Sequence, residues 1–127
     1  MSNTHTILVY GTLRPFTNTA VVLVSGYLRS LGGFPGIKLA EADSTESRVV
    51  CERITCDDEK LYALDRYEGY REDSVETSLY RREKITDDGS PTGWSWIYVY
   101  NSDMSHRELI DSGDWEQYRD ARWPIHA

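Results

Sequence analysis

From Trp94 to Tyr100 the chain reads Trp-Ser-Trp-Ile-Tyr-Val-Tyr, large aromatic residues alternating with Ser95, Ile97 and Val99. A period of two is the mark of a strand, and it sets four aromatic side chains on one face. Such a face more often belongs to a core than to a partner interface, so the chain has to build a sheet with something packed on it. Just upstream, Asp87-Asp88-Gly89-Ser90-Pro91-Thr92-Gly93 is the clearest loop signal in the sequence, and Leu79–Thr86 before it is again extended. Aromatic residues make up 12% of the chain, with nine Tyr and four Trp. Disordered segments are poor in aromatics, so a folded domain follows.

The other segments point the same way. Thr6–Tyr10 is a short apolar run closed by Gly11, and Ala20–Leu31 is β-rich with Gly26 inside it as a bulge or bend. Gly32-Gly33-Phe34-Pro35-Gly36 is a turn cluster, and Ile37–Ala42 and Arg48–Cys56 after it are extended. In the last of these Val50, Ile54 and Cys56 share a face and Glu52 shares their parity. A solvated edge is the commoner setting for such a Glu; the alternative is a carboxylate turned into the core. The period changes once. Leu61, Leu64 and Tyr67 form a helical stripe that Asp57 or Asp58 can cap and Gly69 can end in the left-handed conformation. The tail from Asp103 is polar, with helix expected around Trp115–Arg122.

Five or six strands with one or two helices make residues 1–127 a single α+β domain, a small mixed-strand β-barrel with flanking helices. A chain of this length buries roughly two-thirds of its unfolded surface, enough for one core.

Charge removes whole classes of partner. Fourteen Lys and Arg against 21 Asp and Glu give a net charge of −7. Nucleic acid and anionic membrane surfaces both require a positive field, so neither is an expected partner. A small anion in a local pocket stays compatible. Met1–Thr6 lacks the basic start of a leader, and no window approaches the ~18 apolar residues of a bilayer span. Cys51 and Cys56 lie five strand residues apart, so their Cα atoms are about 16 Å from each other and their side chains on opposite faces. A disulfide is out of reach. Free thiols fit a cytoplasmic protein.

No metal site is expected, because His5, His106 and His126 are scattered and neither cysteine has a partner at ligand spacing. Gly11-Thr12-Leu13-Arg14 lacks the Gly-Lys-Ser/Thr ending of a phosphate loop. Two features remain, each an ordinary strand end or helix stop when taken singly. The turn Val9-Tyr10-Gly11-Thr12-Leu13 lets successive backbone N–H groups converge on an anion. Glu68 sits at the C-terminal end of the helix, where the partial negative charge raises a carboxyl pKa, with Tyr67 and Tyr70 beside it to desolvate it further. A carboxyl pushed toward neutrality suits general acid/base work.

Val9-Tyr10-Gly11-Thr12-Leu13, Gly33-Phe34-Pro35-Gly36, Leu64-Asp65-Arg66-Tyr67-Glu68-Gly69-Tyr70 with Tyr80 and Arg82, Trp96-Ile97-Tyr98-Val99-Tyr100 and Ser112-Gly113-Asp114-Trp115 occur in that order. The series resembles the γ-glutamylcyclotransferase-like family in its short AIG2-like branch, over about Ile7 to Tyr118. The resemblance implies a mixed-strand barrel whose cavity has Tyr10, Gly11, Thr12 and Leu13 as its substrate-binding floor and Glu68 as its acid/base. It implies a small γ-glutamyl substrate, 5-oxoproline as product and no cofactor, and it leaves the oligomeric state open. Two departures stand out. Family members usually follow the loop with a basic, Gly-containing segment, where this chain has Pro15-Phe16-Thr17-Asn18 after Arg14. Many carry Gly-Glu where this chain has Cys51-Glu52, a change expected to narrow the cavity beside Glu52.

Two further readings stay open beside the enzyme. A binding module could keep the barrel and its cavity without turnover, although a pure anion binder would gain by losing Glu68. A partner-binding domain would use the aromatic strand Trp94–Tyr100 as its interface.

Overall fold

The computed structural model describes residues 3–14, 20–40 and 47–122. Its strands are β1 (His5–Val9), β2 (Ala20–Ser30), β3 (Pro35–Leu39), β4 (Arg48–Cys56), β5 (Tyr80–Thr86) and β6 (Trp94–Tyr100). Two helices flank them, α1 (Asp58–Tyr67) and α2 (Trp115–Arg122), and a 3-10 turn spans Val75–Thr77. The strands form one sheet in the order β3-β2-β4-β1-β6-β5. Only β1 and β6 run parallel; the other neighbours are antiparallel.

Curling of this sheet comes from β2. Its first half, Ala20–Ser25, pairs with β4, and its second half, Gly26–Ser30, pairs with β3. Gly26 stands where the partner changes, and a Cβ there would lie 2.6 Å from the Lys38 carbonyl oxygen. Only glycine lets the two backbones approach so closely. The bend carries β3 toward the far side of the sheet, where the Lys38 ammonium donates to the Tyr100 carbonyl at 2.5 Å and the Tyr80 hydroxyl to that of Pro35 at 2.7 Å. β3 and β5 stay unpaired with each other, so the expected barrel is a curled half-barrel with two flanking helices.

Both faces of the central strands are buried. Leu8, Ile97 and Val99 pack with Val24, Val49 and Trp115 of α2, while Ile7, Val9 and Tyr98 pack with Leu61 and Leu64 of α1. The uninterrupted run Thr6–Tyr10 and the aromatic alternation of β6 have this common cause: each parity has its own core. Cys51 lies in the first core and Cys56 against the second, both free. Burial pushes the Cys51 thiol up to about 12.

Two expectations are corrected. Tyr67, expected on the helical stripe with Leu61 and Leu64, is 66% exposed while those two are buried. At 3.6 residues per turn, the face through Leu61 and Leu64 continues to Glu68, four residues beyond Leu64. Glu52, expected at a solvated edge, is 3% exposed and accepts from Arg14 Nε at 2.8 Å. Arg14 also reaches Asp114 at 3.0 Å, so one guanidinium ties the loop after β1 to β4 and to the approach to α2.

Candidate active site

A cavity of about 300 Å³ opens where the loop after β1, the turn into β3, the end of α1 and strand β6 meet. Tyr10, Gly11, Thr12, Leu13 and Glu68 all line it, so the loop and the carboxylate that are 55 or more residues apart in sequence share one wall-to-wall space. Cys51 and Glu52 do not line it; they belong to the core and to the Arg14 ion pair, and the expected narrowing beside Glu52 does not arise. Pro15 to Asn18 lie outside the described residues.

The loop is closed by a hydrogen bond from the Arg14 backbone N–H to the Gly11 carbonyl at 3.1 Å. Among the described residues, the N–H groups of Gly11, Thr12 and Leu13 make no backbone hydrogen bond. Glycine is needed at position 11 for space: its φ is not left-handed, yet a Cβ would stand 2.9 Å from Cγ of Pro35, itself part of the lining.

Glu68 is set by the end of α1. Asp57 caps the start, accepting from the Lys60 N–H at 2.8 Å, and Gly69 with φ of 70° ends the helix in the left-handed region. Glu68 is therefore the C-cap residue, half-buried, and burial raises its carboxyl to about 7. Removal from water is the cause, more than the helix end. Of the two expected desolvating neighbours, Tyr67 lines the cavity, but Tyr70 does not; the turn at Gly69 sends it to the second core, beside the Arg82 guanidinium.

Tyr10, Tyr80 and Tyr98 share the lining with Glu68, and all three hydroxyls are raised, chiefly by their own burial and further by the charge of Glu68. Their protons are committed to protein acceptors. Tyr10 donates to the Tyr98 carbonyl at 2.6 Å, Tyr80 to the Pro35 carbonyl, and Tyr98 to Asp65 at 2.7 Å. Arg82, stacked 4.2 Å from the Trp96 ring centroid, holds the other Asp65 oxygen at 2.6 Å. Glu68 is thus the carboxyl of the lining, raised to about 7 with no ion pair among the described residues. Pro35, Tyr80 and Tyr98 line the cavity without a site role expected from the sequence. The pairing of Tyr98 with the α1 face was the available signal, since it shares parity with Trp96 and Tyr100.

Among the described residues no three His, Cys, Asp or Glu side chains converge as a metal site, and no helix is long and apolar enough to cross a membrane.

Known proteins show similarity to this chain in sequence and in fold. Residues 7–117 match the family described as "Gamma-glutamyl cyclotransferase, AIG2-like". A Vibrio cholerae protein named "Putative gamma-glutamylcyclotransferase" is 32% identical, over 89% of this chain and 96% of its own length. The fold also matches solved structures. The uncharacterized protein PH0828 from Pyrococcus horikoshii has a TM-score of 0.66 at 18% identity, covering 97% of this chain and 99% of that one. The ytfP protein from Escherichia coli has a TM-score of 0.59 at 28% identity, covering 87% and 95%. The chain belongs to the AIG2-like γ-glutamyl cyclotransferase family. Its activity is γ-glutamylcyclotransferase-like in general kind, and the family implies a small γ-glutamyl substrate.

Proposed function

We propose that the protein converts a γ-glutamyl compound to 5-oxoproline, releasing the amine-bearing remainder, with Glu68 as the proton shuttle. The α-amine nitrogen attacks the γ-carbonyl carbon, a C–N bond closes the five-membered ring, and the bond to the leaving nitrogen breaks. Glu68 takes a proton from the attacking nitrogen and returns it to the departing one. Atoms and charge balance without oxidant or second substrate. Both reacting groups belong to one molecule, so the cavity mainly has to hold the chain folded for attack. The Tyr10–Leu13 loop does this by offering backbone N–H groups to anionic oxygen of the substrate, and Tyr10 and Tyr98 wall the space.

The observation that carries this reading is a carboxyl raised to about 7 in the same cavity as an anion-ready loop. The test is incubation with a panel of γ-glutamyl amines and dipeptides, following 5-oxoproline. Release abolished by Glu68→Gln supports it. Binding of these compounds with no release would make the protein a binding module on the same fold. A crystal grown with a small carboxylate should place it at the Gly11–Leu13 N–H groups, and density only at remote surface arginines would count against the loop's role.

A further inference from the structure

Tyr10, Tyr80 and Tyr98 line the cavity with Glu68, and their hydroxyl protons are held in two different ways. Tyr10 and Tyr80 donate to backbone carbonyls of strand residues, Tyr98 and Pro35. Tyr98 donates to a side chain, Asp65 of α1, at 2.7 Å. Asp65 precedes Glu68 by three residues, a spacing that makes two side chains neighbours on a helix surface. The Tyr98 hydroxyl thus lies about one helical turn from the Glu68 carboxyl. Burial and the bond to Asp65 raise that hydroxyl most, and the charge of Glu68 adds to the rise. Asp65 is itself anchored. Its other oxygen accepts from Arg82 at 2.6 Å, and Arg82, whose side chain is 8% exposed, also reaches Glu72 at 3.1 Å and stacks on Trp96.

We infer that Asp65 is a positioning residue of this site: anchored by Arg82, it takes the Tyr98 proton and so keeps that hydroxyl from closing on Glu68. This deepens the cyclotransferase reading above and rests on it. A phenol within a turn of a desolvated carboxylate is a natural donor to it. Such a bond favours the charged form, which makes Glu68 a weaker base, and it occupies a lone pair that the attacking nitrogen needs. Asp65 competes for the same proton with an oxygen already in place, since Arg82 holds the carboxylate in one orientation. The other titratable groups of the lining do not take over the role of Tyr98. Tyr10 from the loop after β1 and Tyr80 from β5 are bonded to carbonyls, and the turn into β3 brings no titratable side chain to the cavity. Tyr67 of α1 is 66% exposed, and side chains adjacent in sequence do not face each other on a helix.

Asp65→Asn keeps the shape and reverses the bond. Arg82 has only donors, so the amide oxygen stays with it and the amide nitrogen, also a donor, turns to Tyr98. The hydroxyl then accepts there, and its proton is left for Glu68. NMR titration of the side-chain carboxyl carbons, with the Glu68 resonance identified by its loss in Glu68→Gln, reads the result without turnover. The wild type should titrate at about 7. Asp65→Asn should lower the midpoint by roughly one to two pH units, the worth of a hydrogen bond to a charged group. Adding Tyr98→Phe to Asp65→Asn should recover most of that fall, and Tyr98→Phe alone should keep the wild-type midpoint. A purely structural tie between α1 and the sheet gives no such recovery. Should Asp65→Asn not fold, Asp65→Ala, which removes the acceptor, is read in the same way. An unmoved midpoint in folded Asp65→Asn, an equal fall with and without the Tyr98 hydroxyl, or a rise in Tyr98→Phe alone overturns the inference and leaves the cyclotransferase reading standing. In the 5-oxoproline assay the rising limb of kcat/KM should follow the titrated midpoint from variant to variant. No release from the wild type overturns the cyclotransferase reading, while the titration still decides whether Asp65 holds the proton away from Glu68.

Discussion

Glu52 and Glu68 are both drawn out of water, and the protein treats them in opposite ways. Glu52 is 3% exposed and meets Arg14 at 2.8 Å, so its charge is matched and serves to join three parts of the fold. Glu68 is less deeply buried, yet no ion pair reaches it among the described residues, and burial lifts it to about 7. Depth of burial therefore does not single out the carboxyl proposed to react. What distinguishes Glu68 is burial with no ion pair among the described residues, in a cavity where the protons of Tyr10, Tyr80 and Tyr98 are already engaged.

The largest effect that follows is on turnover. Glu68→Gln should keep the fold and lower 5-oxoproline release by ~10²–10⁴, the range for a lost acid–base group. Glu52→Gln, read in the same assay, should stay within a few-fold of wild type, because Glu52 does not line the cavity. A large loss in Glu52→Gln with an active Glu68→Gln would reverse the comparison.

On stability the two regions should exchange rank. Arg14→Met removes the guanidinium from which Glu52 and Asp114 both accept, and denaturant unfolding at pH 7 should show a loss of about 3–5 kcal/mol. Glu68 contributes with the other sign. Its folded pKa lies above the unfolded value near 4.3, so ionising it costs the native state. That cost is absent below about pH 4 and grows until pH passes about 7. Glu68→Gln should accordingly stabilise the protein by on the order of 2 kcal/mol at pH 8, after allowance for partial exposure, and by nothing at pH 4. The smallest effect belongs to the loop. Thr12→Ala should weaken binding of a small carboxylate less than tenfold, since backbone N–H groups are proposed to do the holding. Gly11→Val should weaken it more, through collision with Pro35.

The contrast between the two carboxylates also marks what the sequence made legible. Local signals are clear: Asp57 or Asp58 as cap, Gly69 as left-handed stop, Gly26 as bulge or bend, and the Glu68-Gly69 pair with the Tyr10–Leu13 loop that the family resemblance joins into one site. Parity within β4 was read correctly but could not choose a face, because Val49 and Cys51 have one core and Ile54 and Cys56 another. The burial of Glu52 depends on Arg14, 38 residues earlier, and on Asp114, 100 residues from Arg14. No local pattern encodes that meeting. Pro35, Tyr80 and Tyr98 reach the cavity only because β2 changes partner at Gly26 and carries β3 around to Tyr80 and Tyr100. A spacing of three over two turns fits two neighbouring faces of a helix, so Leu61 and Leu64 alone do not decide whether the buried face continues to Tyr67 or to Glu68.

The central claim is that an unpaired, desolvated Glu68 moves the proton, and the pH dependence of kcat/KM for 5-oxoproline release tests it most directly. A rising limb with its midpoint near 7 is expected in the wild type, where Glu68 becomes the base, and that limb should vanish in Glu68→Gln. A limb centred on the ordinary Glu value near 4.3, or one near 7 that survives in Glu68→Gln, would contradict it.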